Sequence, residues 1–205
     1  MPNPDYVAGC VAIAMAQIMK FHRHPARYNW LNMHNFGATL CTQLLIRDIG
    51  FAVRMIWGVR ESKATLPNTV TGFRSFGYHV TQNSHNLTQV RDEISRNERP
   101  VFMAGTDRLD ATRGHTWVCD GVRWPIVNTV YYFVEYQDHN FRFCTRGFTS
   151  AASPARISSP FAFSFFHMNW GWREGRHNGW FVENNVAVPG ANYMNGRQNL
   201  FVRPQ

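Results

Sequence analysis

Cys10 is the first residue whose type and position indicate chemistry. It follows Gly9 and opens the run CVAIAMAQIM, which is rich in helix formers and apolar on nearly all sides. A cysteine in the first turn of a buried helix is a candidate nucleophile, because the positive end of the helix dipole favours the thiolate over the thiol. Its own backbone N–H can also face the oxyanion that develops in acyl transfer. The alternative is a small core residue at a tight helix start.

His115 is the candidate base. It follows Gly114 and opens the segment HTWVCD, in which strand alternation places His115, Trp117 and Cys119 on one face. Because Gly114 permits the close approach of another element, a histidine here is well placed to meet a helix terminus. Taken alone, the same histidine also fits a surface residue or a buried residue with satisfied hydrogen bonds.

Asn169 and Trp170 supply the remaining groups that such a pair needs. An imidazole that accepts a thiol proton at one nitrogen needs an acceptor for the N–H at the other, and an asparagine carbonyl oxygen can provide it. Trp170, next in the chain, can shield that hydrogen bond from water or can simply pack in the core.

These residues lie in segments that resemble the successive signatures of the streptopain-like cysteine peptidases, peptidase family C10 of the papain-like clan. In chain order the segments are GCVAIAMAQIMKFH from Gly9 with Pro25 beyond it, GHTWVCDG from Gly114, HMNWGW from His167 and NGWF from Asn178. Their order and composition match over nearly the whole chain.

The resemblance implies a fold, an activity and a set of site residues. It implies an α+β, papain-like fold, with the nucleophile on a central buried helix and an antiparallel sheet carrying the histidine and asparagine. It implies a secreted endopeptidase that acts on proteins or peptides, prefers a hydrophobic residue just upstream of the scissile one, has no cofactor and is held inactive by a propeptide. Carried onto this sequence, it makes Cys10 the nucleophile, His115 the general base and later acid, Asn169 the orienter of His115, and Trp170 its cover.

Two departures from the family pattern are visible. Members carry a glutamine upstream of the nucleophile that completes the oxyanion hole, and neither Asn3 nor Asp5 replaces it in the nine residues before Cys10. We therefore expect the oxyanion hole to depend on the Cys10 N–H. The stretch 123–163, which contains Cys144, is longer than the corresponding connection in streptopain and receives no assigned role.

Composition favours one packed domain over residues 1–205. With 44% hydrophobic residues and a length typical of single domains, the chain can bury one core. The net charge of +8 comes from scattered arginines without a basic run, which does not favour nucleic-acid binding. The longest apolar run is too short for a membrane span, no secretion signal is visible, and the four cysteines show no disulfide or metal framework.

Helical patterns come first along the chain and strand patterns follow. Helices are predicted over 10–21, 38–49 with Gly50 as its cap, 68–76 and 87–96, and a short strand over 51–55. Strands are predicted over 101–104, 115–120, 130–136, 165–170 and 180–182. We expect a helical subdomain over about 1–98 and a sheet subdomain over about 99–205, an α+β arrangement.

Three other functions remain open at this stage. A truncated or catalytically impaired homologue would bind peptides or a partner without cleaving them. A zinc site formed by His22, His24 and Cys10 or His34 is chemically conceivable. Other acyl-transfer reactions on the same fold, such as leader-peptide cleavage or transamidation, differ mainly in substrate.

Overall fold

The computed structural model describes residues 5–34, 37–123, 164–172 and 176–205. Its helices are α1 (Cys10–His22), α2 (Leu40–Ala52), α3 (Leu66–Ser75) and α4 (Leu87–Ser95), with a short 3-10 turn at Trp30–Asn32. Its strands are β1 (Tyr78–Ser84), β2 (Val101–Thr106), β3 (Gly114–Arg123), β4 (Phe165–Asn169), β5 (Gly179–Val182), β6 (Ala187–Val188), β7 (Ala191–Asn192) and β8 (Asn195–Pro204). The predicted strand over 130–136 and Cys144 lie outside the described residues.

The main sheet has six strands in the order β1-β8-β2-β3-β4-β5, and every neighbouring pair in it is antiparallel. The α+β prediction with an antiparallel sheet is therefore confirmed. The strand β1 lies in the half expected to be helical and pairs with β8 from Tyr78↔Pro204 onward. The sheet thus crosses the expected boundary near residue 98, and the division into two subdomains stays a prediction.

Helix α1 is central because it is apolar around most of its circumference. Six of its thirteen residues are buried: Val11, Ala12, Ala14, Met15, Ile18 and Met19. They pack with α2, α3 and the side chains of Phe102, Val118, Leu200 and Val202 from the sheet. The predicted buried helix at this position is confirmed, ending one residue later than expected.

Strand alternation divides the core between the two faces of the sheet. Val118 points toward α1, whereas Trp117 and Cys119 point to a second cluster that includes Val90 of α4. Both faces of β3 are therefore covered, and His115, near the start of β3, is buried.

The short strand predicted over 51–55 is wrong, and so is the predicted cap at Gly50. Helix α2 continues through Gly50 to Ala52. A Cβ at Gly50 would collide with the ring of Trp57, so the glycine is needed for close packing rather than for ending the helix. Between α2 and α3 the chain forms the isolated bridge Ile56↔Lys63.

Candidate active site

Cys10 is the first residue of α1, and the residue before it fixes how the chain enters the helix. Gly9 has φ +78° and ψ 149°, a conformation that favours glycine. A Cβ at Gly9 would lie 2.7 Å from the Ser62 carbonyl oxygen, so another residue there would force the two segments apart. The Cys10 side chain is partly buried and is a free thiol.

The loop that contains Gly58 and Ser62 holds the segment that leads into Cys10. The hydroxyl of Ser62 donates to the Val7 carbonyl at 2.6 Å and accepts from the Gly58 N–H at 3.1 Å. The Val7 N–H donates to the Gly58 carbonyl at 3.1 Å. Because Ser62 is only 2% exposed, this contact is shielded from water and stabilises the approach to α1.

His115 lies near the start of β3, opposite Gly105 in β2, and is 8% exposed. Its Nε2 lies 3.0 Å from the backbone carbonyl oxygen of Trp170. A carbonyl can only accept, so Nε2 carries the proton and Nδ1 of the neutral ring has a free lone pair. This is the tautomer that a base for a nearby thiol requires.

Four aromatic rings surround the His115 imidazole: Trp117, Trp170, Trp172 and Tyr193, with ring centroids 6.3, 6.0, 5.1 and 5.2 Å away. Burial among them lowers the pKa of His115 to about 4. The hydrogen bond to the Trp170 carbonyl raises this pKa, but by less than burial lowers it. In the arrangement described, His115 is therefore neutral near pH 7.

Tyr193 packs against His115, with the ring centroids 5.2 Å apart. Burial raises the pKa of its hydroxyl, and a negative charge on Cys10 contributes to the same rise. No hydrogen bond among the described residues joins Cys10 to His115, although α1 and β3 are in contact.

Asn169 is brought to this site, but its side chain makes contacts other than the expected one. Its Oδ1 accepts from Gln17 Nε2 at 2.9 Å, from the Gly171 N–H at 3.2 Å and from Asn178 Nδ2 at 3.2 Å. The acceptor for His115 is the carbonyl of the next residue, Trp170. In this structure Asn169 therefore acts on the chain around Trp170 rather than on the imidazole directly.

Trp170 is fully buried and its ring lies 24° from the plane of His115. It also packs against Trp117 and Trp172, so it excludes water from one side of the imidazole. Its backbone N–H donates to Asn178 Oδ1 at 2.8 Å. This placement is compatible with the predicted role as a cover, which stays a proposal.

Four residues at the site carry no role in the prediction from the sequence: Gln17, Trp172, Asn178 and Tyr193. The first three lie within segments that carry the family resemblance. The sequence therefore pointed to their segments but did not predict their contacts. Tyr193 lies in a loop after β7 and has no local pattern that could have indicated it.

The conceivable zinc site receives no support from the part of the chain that the structure describes, where no group of three or more His, Cys, Asp or Glu side chains is arranged to hold a metal ion. In the same residues, no helix is long and apolar enough to cross a membrane.

The α+β fold, with a cysteine opening the central helix and a buried histidine on the strand packed against it, is that expected of a cysteine peptidase. The model of the peptidase C10 family matches residues 2–41 and 26–181. The chain therefore belongs to the peptidase C10 family, which confirms the resemblance seen in the sequence.

Solved structures are similar in fold. The active wild-type interpain A cysteine protease of Prevotella intermedia is 17% identical with a TM-score of 0.64, covering 98% of this chain and 85% of that one. A prointerpain A fragment from the same organism, in which a cysteine is replaced by alanine, is 14% identical with a TM-score of 0.58. That match covers 96% of this chain and 63% of the fragment. A comparison with curated protein sequences gave no significant match.

Proposed function

We propose that this cysteine peptidase is an endopeptidase in which Cys10 is the nucleophile and His115 the general base and acid. The observation that carries the proposal is the bond from His115 Nε2 to the Trp170 carbonyl, since it leaves Nδ1 free to take a proton. His115 lies on a strand packed against the helix that begins with Cys10.

In the first half of the reaction, Nδ1 of His115 accepts the Cys10 thiol proton and the sulfur attacks the carbonyl carbon of the scissile bond. The negative charge that develops on the carbonyl oxygen is stabilised by N–H groups of the first turn of α1, which have no partners within the helix. The imidazolium then protonates the leaving amine, and a thioester to Cys10 remains.

In the second half, Nδ1 takes a proton from water, and the resulting hydroxide attacks the thioester carbonyl. Sulfur leaves as a thiolate and regains a proton from the imidazolium, so atoms and charges return to their starting state. Burial of His115 disfavours its charged form, and the adjacent thiolate favours it because opposite charges stabilise each other.

The test is the release of peptides from casein by the wild type and by two matched variants. Cys10→Ser should abolish turnover. Cys41→Ser is the control, because Cys41 is also a partly buried thiol in the first turn of a helix, α2. Casein cleavage that survives in Cys10→Ser would refute the proposed nucleophile.

A second candidate, a homologue that binds peptides without cleaving them, is favoured by the lack of a Cys10–His115 hydrogen bond among the described residues. Catalytic hydrogen bonds are often long before substrate binds, so the peptidase remains our conclusion. A wild type that binds casein fragments without turnover would reverse this choice.

The likeness to a proform fragment supports a related proposal, that the protein is made as an inactive precursor. We also propose that it is exported, as the family resemblance implies. Expression of the gene in its own host should then give a larger intracellular form and a smaller extracellular one. A single form of one mass, retained in the cell, would contradict it.

A further inference from the structure

One face of α1 connects the candidate nucleophile to the residues that hold His115. Cys10, Ile13 and Gln17 are spaced so that they share this face of the helix. A Cβ at Gly171 would lie 2.7 Å from Cγ2 of Ile13, so the turn after Trp170 packs directly against the helix. One turn further along, Gln17 Nε2 donates to Asn169 Oδ1 at 2.9 Å.

Asn178 also bonds the segment that contains Asn169 and Trp170. Its Oδ1 accepts from the Trp170 N–H at 2.8 Å, and its Nδ2 donates to Asn169 Oδ1 at 3.2 Å. An asparagine that bonds both the backbone of one residue and the side chain of its neighbour fixes the peptide orientation between them. The carbonyl that His115 uses lies in the next peptide, between Trp170 and Gly171, and the N–H of that peptide donates to Asn169 Oδ1 at 3.2 Å. Asn178 therefore acts on this carbonyl through Asn169.

We propose that Gln17 and Asn178 are positioning residues, which hold Asn169 and Trp170 so that the Trp170 carbonyl meets the Nε2–H of His115. The inference rests on the proposed function of Cys10 and His115. It assigns to two amide side chains, one on the nucleophile helix and one before β5, the task of keeping the base in its productive tautomer and orientation.

The chemistry of Gln17 supports a task other than stability. Its Oε1 is buried without a hydrogen-bond partner among the described residues. A buried acceptor without a partner costs about 1–3 kcal/mol, so an apolar side chain of similar shape would serve packing equally well or better. The amide is needed only for the contact of Nε2 with Asn169.

The variants that test the inference are Asn178→Ala, Asn178→Asp and Gln17→Met. Asn178→Asp keeps the acceptor for the Trp170 N–H and loses the donor to Asn169. Asn185→Ala is the matched control, because Asn185 Oδ1 also accepts from a backbone N–H, that of Ala187 at 3.0 Å, in an exposed turn.

Two readouts distinguish this inference from the proposed function. The first is the Nε2–H signal of His115 in the ¹H–¹⁵N NMR spectrum, which does not depend on turnover. It should be sharp in the wild type and in Asn185→Ala and broadened by exchange with water in Asn178→Ala and Gln17→Met. Asn178→Asp should be intermediate.

The second readout is the kinetics on a fluorogenic peptide. We expect kcat to fall about tenfold with KM little changed, less than the roughly hundredfold that a 1 Å misplacement of a catalytic group can cost. The acidic limb of the pH profile should move to lower pH, because His115 must be neutral to accept the thiol proton and the Trp170 carbonyl favours the protonated imidazole. The melting temperature of Gln17→Met should stay within a few degrees of the wild type.

A wild-type Nε2–H signal in both Asn178→Asp and Gln17→Met would overturn the inference while leaving the Cys10 proposal intact. So would a fall in kcat with an unmoved acidic limb, because a merely structural role predicts that result. If Asn178→Ala does not fold, the other two variants decide.

Discussion

The imidazole of His115 and the backbone carbonyl of Trp170 are joined by a 3.0 Å hydrogen bond inside a cluster of aromatic rings. The bond connects β3 to the residue that follows β4, its neighbour in the sheet. Because the acceptor is a main-chain atom, it is set by the local fold rather than by the side chain at that position.

The first prediction concerns the tautomer of His115. At pH 7 the proton should reside on Nε2, because the Trp170 carbonyl can only accept. The ¹⁵N chemical shifts of the imidazole would measure this directly. Trp170→Phe retains the carbonyl and should retain the tautomer, whereas a proton on Nδ1 in the wild type would contradict the described geometry.

The second prediction is a loss of stability in mild acid. Burial holds the pKa of His115 at about 4 in the folded protein, below the value of 6.5 for an exposed histidine. Between these values the unfolded chain binds more protons than the folded one, so stability should fall as pH drops from about 6.5 to 4. The contribution of His115 is on the order of 3 kcal/mol.

Urea unfolding of the wild type and of His115→Phe at several pH values measures that contribution. His22 and His85 are also shifted to lower pKa by burial and remain in both proteins, so the difference between the two curves isolates His115. Parallel curves over this range would show that His115 is not buried as described.

The third prediction concerns Gly171, which has φ +69° and packs against Ile13. Gly171→Ala should destabilise the protein by about 1–3 kcal/mol through strain and overpacking, and should lower kcat by displacing the adjacent Trp170 carbonyl. Gly190→Ala is the control, because Gly190 has φ +84° and no atom of the described residues lies within 4 Å of its Cβ position.

In the Gly190→Ala control we expect only the backbone cost of about 1 kcal/mol and unchanged kcat. Adding Ile13→Ala to Gly171→Ala should restore part of the lost activity by removing the colliding methyl group. If both glycine variants behave alike, the close approach of Gly171 to α1 has no part in positioning the site.

The fourth prediction concerns the entry to Cys10. Ser62→Ala removes a buried hydroxyl that bonds Val7 and Gly58, so we expect a loss of about 1–2 kcal/mol and a lower rate of Cys10 alkylation. Ser75→Ala is the control, since among the described residues the Ser75 hydroxyl bonds only the Gly72 carbonyl, within its own helix end. Equal alkylation rates in both variants would show that Ser62 does not position Cys10.

The sequence allowed prediction of the parts of the fold whose patterns are local. The apolar circumference of α1 indicated a buried helix, and the alternation after Gly114 indicated β3. Strands β1 and β8 were missed because their pairing joins residues as distant as Tyr78 and Pro204. Buried polar residues in β8, such as Asn199, also break the apolar alternation that marks a strand.

The candidate site, like the fold, could be predicted only in part from the sequence. The segments around Cys10 and His115 could be recognised because their chemistry resides in side chains. The acceptor for His115 could not, because a backbone carbonyl has no sequence signature, and an asparagine next to it was the chemically reasonable choice. The contacts of Gln17 and Asn178 with Asn169 required three separate segments to be placed together.

The most direct test of the central claim is covalent labelling by the epoxide inhibitor E-64, followed by intact mass and peptide mapping. Wild type and Cys41→Ala should gain a single adduct at Cys10, and Cys10→Ala should gain none. His115→Ala should react about a hundredfold or more slowly, as expected when a general base is removed. An adduct at a different cysteine, or a rate unchanged by His115→Ala, would contradict the pairing of Cys10 with His115.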